Sequence, residues 1–303
     1  RDTDRSRGLG DVYKRQTKDR AERLKQKSRE LYKAVHNLYE RAVRKQSARR
    51  EELAQSEKAD TLRLYGELLQ ANQWAIQKGD RQATVQNYYT GEDVTIRLDP
   101  RLGPNENAQK YFDKYGKMKR TAEALNELIL ETKGQIDHLE SIQNSLDIAL
   151  SADDLVQIKD ELIEYGFIKK GKGSKKQKVK SKPFHYISSD GFDMYVGKNN
   201  YQNDELTFKL ATGNDWWFHA KGMPGSHVIV KAENKELPDS TFEEAGKLAG
   251  YYSKGKNADK VEIDYLQKKN VKKPNGAAAG FVVYYTNYSL TIHPDISDIR
   301  QIE

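Results

Sequence analysis

The stretch AQKYFDKYGKMKRTAEALNELILETKGQIDHLESIQNSLDIAL, residues 108–150, decides the reading of the fold. Within it Ala108, Tyr111, Tyr115, Met118, Ala122, Leu125, Ile129, Thr132, Ile136, Leu139, Gln143, Leu146 and Leu150 alternate by three and four residues. Only Thr132 and Gln143 are polar. This spacing lays one narrow apolar seam along a helix, and a narrow seam needs a partner of similar length to bury it. The segment from Arg20 to Gln77 supplies that partner: it contains no Pro and, apart from Gly66, no Gly, and it is dominated by Lys, Arg, Glu, Leu and Ala. Leu24, Ser28, Leu31, Val35, Leu38 and Ala42 form its stripe. The stripe turns polar at Lys45 and Arg49 before Leu53, Leu62, Leu64, Tyr65, Leu68 and Leu69 restore it. At 1.5 Å per residue this arm would reach roughly 85–90 Å.

Between the arms, residues 83–89 and 94–98 are rich in Val, Thr, Tyr and Ile and flank Thr90, Gly91, Glu92 and Asp93, a strand–turn–strand pattern. Asp99, Pro100, Gly103 and Pro104 then break the chain. A parallel coiled coil with a partner chain is the alternative. The turn signals sit where a hairpin needs them, so an antiparallel coiled-coil hairpin over residues 20–166, with a small β tip near 83–98, is expected to project from the rest. Ser151, followed by Asp153 and Asp154, is an N-cap for a short helix ending near Gly166. Residues 1–19 resemble no packable element and are expected to be a disordered leader.

Composition agrees with this division. The 303 residues carry 52 Lys plus Arg against 45 Asp plus Glu, a net charge of +7, with 36% hydrophobic and 32% charged residues. The mean hydropathy is −0.92. Long helices that bury only a seam account for so low an apolar content. The absence of Cys excludes disulfides, thiolate-held zinc or iron–sulfur clusters and thiol catalysis. Apolar runs such as residues 281–285 fall far short of the ~18 residues that span a bilayer. No signal-peptide pattern opens the sequence, so a cytoplasmic, non-membrane protein is expected.

Between Lys169 and Lys182 eight of fourteen residues are Lys: 169, 170, 172, 175, 176, 178, 180 and 182. The acid-free block over 167–182 reads as a linker. It is either a solvated spacer or a phosphate-neutralising segment. From residue 183 to 303 the pattern becomes short strands at 184–188, 192–196, 216–220, 227–231, 261–266 and 281–285. One helix is expected over 241–254, capped by Ser240 with Glu243 at the capping-box position. The overall fold class is therefore α+β: a coiled-coil hairpin followed by a small mixed domain.

Several motifs in this domain identify a family. Asp190-Gly191-Phe192, Val196-Gly197-Lys198-Asn199-Asn200 with Gln202-Asn203-Asp204, Asp215-Trp216-Trp217-Phe218-His219-Ala220 and Pro224-Gly225-Ser226-His227-Val228 occur in that order. They resemble the RNA-binding domain of the NFACT family, which includes fibronectin-binding protein A and RqcH-like ribosome quality-control factors. Upstream, Leu64-Tyr65-Gly66-Glu67-Leu68-Leu69 and Asn107-Ala108-Gln109-Lys110-Tyr111-Phe112 are similar to the family's middle coiled-coil region. The resemblance covers residue 20 to the end and looks like the carboxy-terminal half of such a protein. It implies engagement of large ribosomal subunits obstructed by peptidyl-tRNA, with ribosomal RNA and tRNA as partners. It further implies support for alanyl-tRNA recruitment in carboxy-terminal alanine tailing, the peptide bond being made by the ribosome. The family's name also implies fibronectin binding as an alternative. Lys198 departs from the usual Arg, keeping charge without bidentate geometry.

The two His residues His219 and His227 with Asp215 are the cluster from which a metal site or acid–base chemistry would start. They lack a nucleophile elbow or a phosphate loop, so no catalysis, no metal and no cofactor are expected. On strand 216–220, Trp216 and Phe218 share one face and Trp217 and His219 the other. The alternation alone does not say which pair is core; the open face, with Lys221 beside it, would be a stacking surface for RNA. Gly222 and Gly225 are turn residues or a backbone nest for a phosphate. Asn199, Asn200, Gln202 and Asn203 either cap turns or read RNA. Lys268, Lys269, Lys272 and Lys273 form a second basic segment. The expected RNA-binding set is the eight linker lysines, Lys198, these four amides, Trp217, His219, Lys221, Ser226, His227, Lys268, Lys272 and Lys273.

Overall fold

A computed structural model describes residues 2–56, 58–171 and 181–302, with side chains from residue 18. The chain forms two compact units: residues 41–135, and residues 1–40 together with 136–303.

One helix, parts of two longer ones and a hairpin build the first unit. Helix α1 (Asp2–Ser56) is followed by α2 (Ala59–Ala71), so the long arm is two helices and ends before Gln77. The leader residues from Asp2 belong to α1; their side chains lie outside the described set. Strands β1 (Gln82–Gln86) and β2 (Asp93–Arg97) pair antiparallel, and α3 (Pro104–Ile148) returns. Arg49 Nη1 donates to the Leu128 carbonyl at 2.7 Å and also bonds the Thr132 hydroxyl, and Gln46 Nε2 donates to the Ile129 carbonyl at 3.5 Å. Earlier on α1, Tyr39 Oη donates to Glu140 Oε1 at 3.2 Å, so rising numbers on α1 meet falling numbers on α3 and the pairing is antiparallel. The polar stretch of the α1 stripe therefore lies over Thr132, a buried polar residue of the α3 seam. Lys45 faces solvent and Gln46 takes its place on the stripe.

The tip has its own core. Leu68, Leu69, Ile76, Val85, Ile96, Leu98 and Ala108 are buried together. Gly66 permits the close approach of α2 to α3, since a Cβ there would stand 2.8 Å from the Phe112 ring. Buried Asn107 fastens the end of the hairpin: its Oδ1 accepts from Asp99 N at 2.8 Å, and its Nδ2 donates to the Asp99, Leu102 and Gly103 carbonyls.

The second unit is a seven-stranded antiparallel sheet flanked by helices. Its strands are β3 (Phe184–Ile187), β4 (Asp193–Val196), β5 (Trp216–Ala220), β6 (Val228–Val230), β7 (Val261–Gln267), β8 (Tyr288–Ile292) and β9 (Arg300–Ile302). Their spatial order is β8-β7-β5-β6-β4-β3-β9. The expected strand over 281–285 is absent; only Val283 makes a bridge, to Lys272. Its apolar residues cover the sheet instead of extending it: Val282 and Tyr284 pack on the cluster around Trp217. Helix α4 (Ala152–Glu164) starts with a complete capping box, Ser151 Oγ accepting from Asp154 N and Asp154 Oδ2 accepting from Ser151 N. Helix α5 (Asn200–Glu205) continues into a π-turn at Leu206–Leu210. Helix α6 is Asp239–Tyr251, beginning two residues and ending three residues earlier than expected. Ser240 does not cap it; Ser240 and Thr241 hydroxyls donate to Asp190 Oδ2 at 2.6 and 2.7 Å.

Both faces of the sheet are covered. Phe218, Ala220, Val228, Val230 and Met194 face Ala245, Leu248 and Ala249 of α6, while Trp217, Ile229 and Leu266 lie under Leu206, Ala211 and Val271. Burying a large side chain contributes about 1.5–3 kcal/mol, so covering both faces is the main stabilising term of this unit.

Candidate nucleic-acid interface

The covering of both faces overturns the expected stacking surface. Trp217 is 1% exposed and Phe218 is fully buried, so one residue of each face is core. Trp217 is enclosed by His227 at 5.1 Å, Tyr284 at 5.3 Å and the stacked ring of His219 at 5.6 Å. Trp216, the member not chosen from the sequence, is the partly exposed tryptophan.

The four amides and two neighbouring residues are likewise interior. Asn199, Asn200, Gln202, Asn203, Ser226 and His227 are all at most 5% exposed. Asn199 Oδ1 caps α5 by accepting from Gln202 N at 3.0 Å, and its Nδ2 donates to Gln157 Oε1. Gln202 Nε2 reaches Gln157 Oε1 and Ser181 Oγ, and its Oε1 accepts from Lys198 N. Asn203 Oδ1 accepts from His227 N at 3.0 Å, and Thr207 Oγ1 bonds His227 Nδ1 at 2.8 Å. Asn200 Nδ2 donates to Glu161 Oε1 at 2.7 Å and to Ser141 Oγ at 2.8 Å. Apart from Ser226, whose buried hydroxyl has no partner among the described residues, these side chains bond within the domain, and all six are covered. The capping alternative is the one the geometry realises.

Asp215 does not join the histidines. Its carboxylate accepts from Lys231 Nζ at 2.5 Å, Thr212 N at 2.7 Å and Ala232 N at 2.9 Å. Burial acts to raise its pKa, but these donors outweigh it and hold the carboxyl below its ordinary value. Gly225 packs against Ser253, a Cβ there lying 3.0 Å from the serine Cβ.

Burial drives the His227 pKa well below its ordinary value, with the His219 ring acting the same way. The enclosed ring of His219 is pushed down to about 4 by burial, although part of the residue reaches solvent. Both rings are therefore neutral at pH 7 and attract no phosphate. The unfolded chain takes up these protons first, from about pH 6.5 downward, so stability falls as pH drops through that value toward 4. Calorimetry between pH 7 and pH 5 should show the melting temperature of this unit falling by on the order of 5 °C. A flat profile would refute the assignment. Asp215 adds its own loss only below its ordinary value of 3.8, outside that window.

The lysines divide into committed and free. Lys198 Nζ lies 3.6 Å from Asp154 and over the Phe184 ring. Lys273 Nζ is bound to both Asp204 oxygens, at 2.9 and 2.7 Å, and to the Ala278 carbonyl at 2.6 Å. Lys221 pairs with Glu262 at 2.6 Å on the surface. Lys169, Lys170, Lys182 and Lys272 are exposed, and Lys268 extends over the Phe208 ring at 5.6 Å. Lys172, Lys175, Lys176, Lys178 and Lys180 lie outside the described residues. Lys269, named in the second basic segment but left out of the expected set, is exposed, as are Lys209 and Tyr285, the last at 85%, which the sequence did not single out because exposure of an isolated residue leaves no periodic trace.

Sequence reasoning also missed Glu161. It is fully buried on α4, with Oε1 2.8 Å from His138 Nε2. The signal was present: Asp154 and Glu161, seven residues apart, fall beside the apolar stripe Leu155, Ile158, Leu162.

An antiparallel α+β domain with exposed lysines around a covered sheet suits the class of proteins that bind a polyanion such as nucleic acid. Family comparison agrees: residues 4–182 match the NFACT N-terminal and middle domains and residues 182–285 the NFACT protein RNA binding domain. The chain belongs to the NFACT family. It is 38% identical over 298 residues to the "Rqc2 homolog RqcH" of Streptococcus pneumoniae serotype 2, covering 97% of this chain and 54% of that protein. The homologue of the same name in Bacillus subtilis is 38% identical over 287 residues, covering 93% and 50%. The chain thus spans about half the length of these relatives. A solved structure, the C-terminal part of the fibronectin/fibrinogen-binding protein from Streptococcus suis, superposes with a TM-score of 0.72 at 35% identity, covering 91% of this chain and 98% of that one. Among the described residues no helix is long and apolar enough to cross a membrane.

Proposed function

We propose that this chain is the RNA-binding part of a ribosome-associated quality-control factor. It engages obstructed large ribosomal subunits through ribosomal RNA and supports alanyl-tRNA recruitment for carboxy-terminal alanine tailing. It binds and positions, while the ribosome makes the peptide bond. The observation that carries this reading is the RNA-binding family domain at residues 182–285, together with free lysines on its surface and in the segment leading into it. The quality-control role is supported by the similarity to the Rqc2 homologues.

Each lysine that neutralises a phosphate releases counterion, so affinity should fall steeply between low and physiological salt. Changing Lys268 and Lys272 to Gln should weaken binding to tRNA or ribosomal RNA fragments and reduce the slope of log K against log salt by about 1 per lysine. An unchanged slope would remove these residues from the interface. The Streptococcus suis structure, described as a fibronectin/fibrinogen-binding protein, favours a second reading as a surface adhesin. Fractionation of cells separates the two: co-sedimentation with large subunits supports the first, sensitivity to protease added outside intact cells the second.

A further inference from the structure

One concavity on the sheet unit is used by none of the contacts above. It is a pocket of about 500 Å³ where β5 begins and β7 ends, walled by Trp216, Leu237 and Phe242 and rimmed by Asn214, Asn234 and Gln267. Trp216 meets Phe242 edge to face at 4.8 Å and continues to Tyr265 at 5.9 Å and Tyr288 at 6.2 Å, the last 63% exposed. An aromatic wall thus runs from the pocket to solvent.

The rim is held in shape. Asn214 Nδ2 donates to Asn234 Oδ1 at 2.9 Å, joining two loops. Glu233 and Asn234 both adopt left-handed backbone, with φ of 51° and 61°, which residues bearing side chains seldom do consecutively. The bond between the two amides leaves Asn214 Oδ1 and Asn234 Nδ2 available, and the Gln267 amide has no hydrogen-bond partner among the described residues. Two residues on, Lys269 N is bonded to the Gly213 carbonyl at 3.1 Å, which places this lysine beside the rim. Its ammonium has no ion partner among the described residues. Lys235, Glu236 and Asp239 also line the pocket, the lysine paired with Glu233 at 3.2 Å. The two carboxylates accept hydrogen bonds from N–H groups, and they outnumber the single lysine of the lining, whose charge Glu233 offsets, so the interior does not favour a phosphate.

An aromatic wall, amide donors and acceptors at its edge, carboxylates in its lining and the ammonium of Lys269 beside the rim match one ligand chemistry. We propose that this pocket takes an unpaired base of single-stranded RNA: the base stacks on Trp216, its edge meets Asn214, Asn234 and Gln267, and its phosphate stays outside beside Lys269. Paired bases in a helix are stacked on one another and cannot enter. The assignment rests on the RNA-binding reading and deepens it.

The test compares the full chain with a labelled 12-nucleotide single-stranded RNA and with an abasic 12-mer of the same backbone, by fluorescence anisotropy. The base-bearing oligomer should bind about 10-fold tighter than the abasic one. Trp216→Leu should lose that advantage while binding the abasic oligomer as before. Gln267→Ala, on the rim at the last position of β7, should lose part of the advantage and decides the matter if Trp216→Leu fails to fold by circular dichroism. Equal affinity of the wild type for both oligomers, or full retention of the advantage in Gln267→Ala and a folded Trp216→Leu, overturns the site while leaving phosphate-driven binding intact. Failure of the wild type to bind either oligomer overturns the RNA-binding reading and the site with it.

Discussion

Glu161→Ala is expected to lower the stability of the sheet unit by about 3–5 kcal/mol, the sum of two orphaned donors and a cavity. Glu161 Oε1 accepts from His138 Nε2 at 2.8 Å and from Asn200 Nδ2 at 2.7 Å, uniting α3, α4 and α5 at a fully buried point. The rings of Tyr165, Phe167 and Phe281 stand edge-on to His138 at 4.7, 5.2 and 5.7 Å, so no water can easily replace the lost oxygen. Truncation leaves two donors unsatisfied inside this aromatic shell. In a unit of roughly 200 residues that loss corresponds to a fall in melting temperature of about 10 °C. Glu161→Gln should cost far less, about 1 kcal/mol, because it keeps the Oε1 acceptor and replaces only Oε2, which has no hydrogen-bond partner among the described residues. If thermal unfolding of the Ala variant stays within about 2 °C of wild type, the junction is not what ties the three helices together.

Gly197→Ala should be comparably damaging for a different reason. A Cβ on Gly197 would lie 2.0 Å from Asn203 Oδ1 and 2.9 Å from the Asn203 backbone nitrogen. The side chain of Asn203 has to leave, yet its Oδ1 is the acceptor for His227 N, while Gly197 N donates to the His227 carbonyl at 3.1 Å. Overpacking costs about 1–3 kcal/mol, and an unpaired buried N–H adds about 1–3. The double variant Gly197→Ala with Asn203→Ala relieves the collision but not the missing acceptor. Its loss should therefore be smaller than the sum of the two single losses, measured by chemical denaturation. A cost below about 1 kcal/mol for Gly197→Ala alone would mean that the close approach is not maintained in solution. This glycine lies within the family motif Val196–Asn200, and the geometry gives the motif a structural meaning: the turn and the two amides after it assemble the end of the sheet.

The long helices, the hairpin turn, the N-cap at Ser151 and five of the seven strands of the sheet were legible, because each depends on residues within a few positions of one another. Edge strands β8 and β9 were not. Their burial patterns, largely exposed with one or two inward residues, resemble loops until a neighbouring strand is known. The run over 281–285 misled for the converse reason, being apolar because it lies on the sheet. Ser240 looked like a cap from its position before Glu243, but Asp190, fifty residues away, takes its hydroxyl.

The same division runs through the candidate site. Lysine density at 169–182, the family motifs and the alternation of the 216–220 strand are properties of neighbouring residues, so the RNA-binding class could be reached before any coordinates. Which of those residues reach solvent is not such a property. Trp217 is hidden because residues 206–211 and 271–284 fold over it, and Asn200, Gln202 and Asn203 are spent on Glu161, Ser181 and His227, partners at separations of 39, 21 and 24 residues. Lys273 is neutralised by Asp204 across 69 residues, whereas Lys272, next to it in sequence, stays exposed. Chain spacing sets the period of a helix or strand through backbone geometry. The partner of a side chain, and so whether it binds RNA or another part of the protein, is set by which distant segments cover it when the apolar surfaces close.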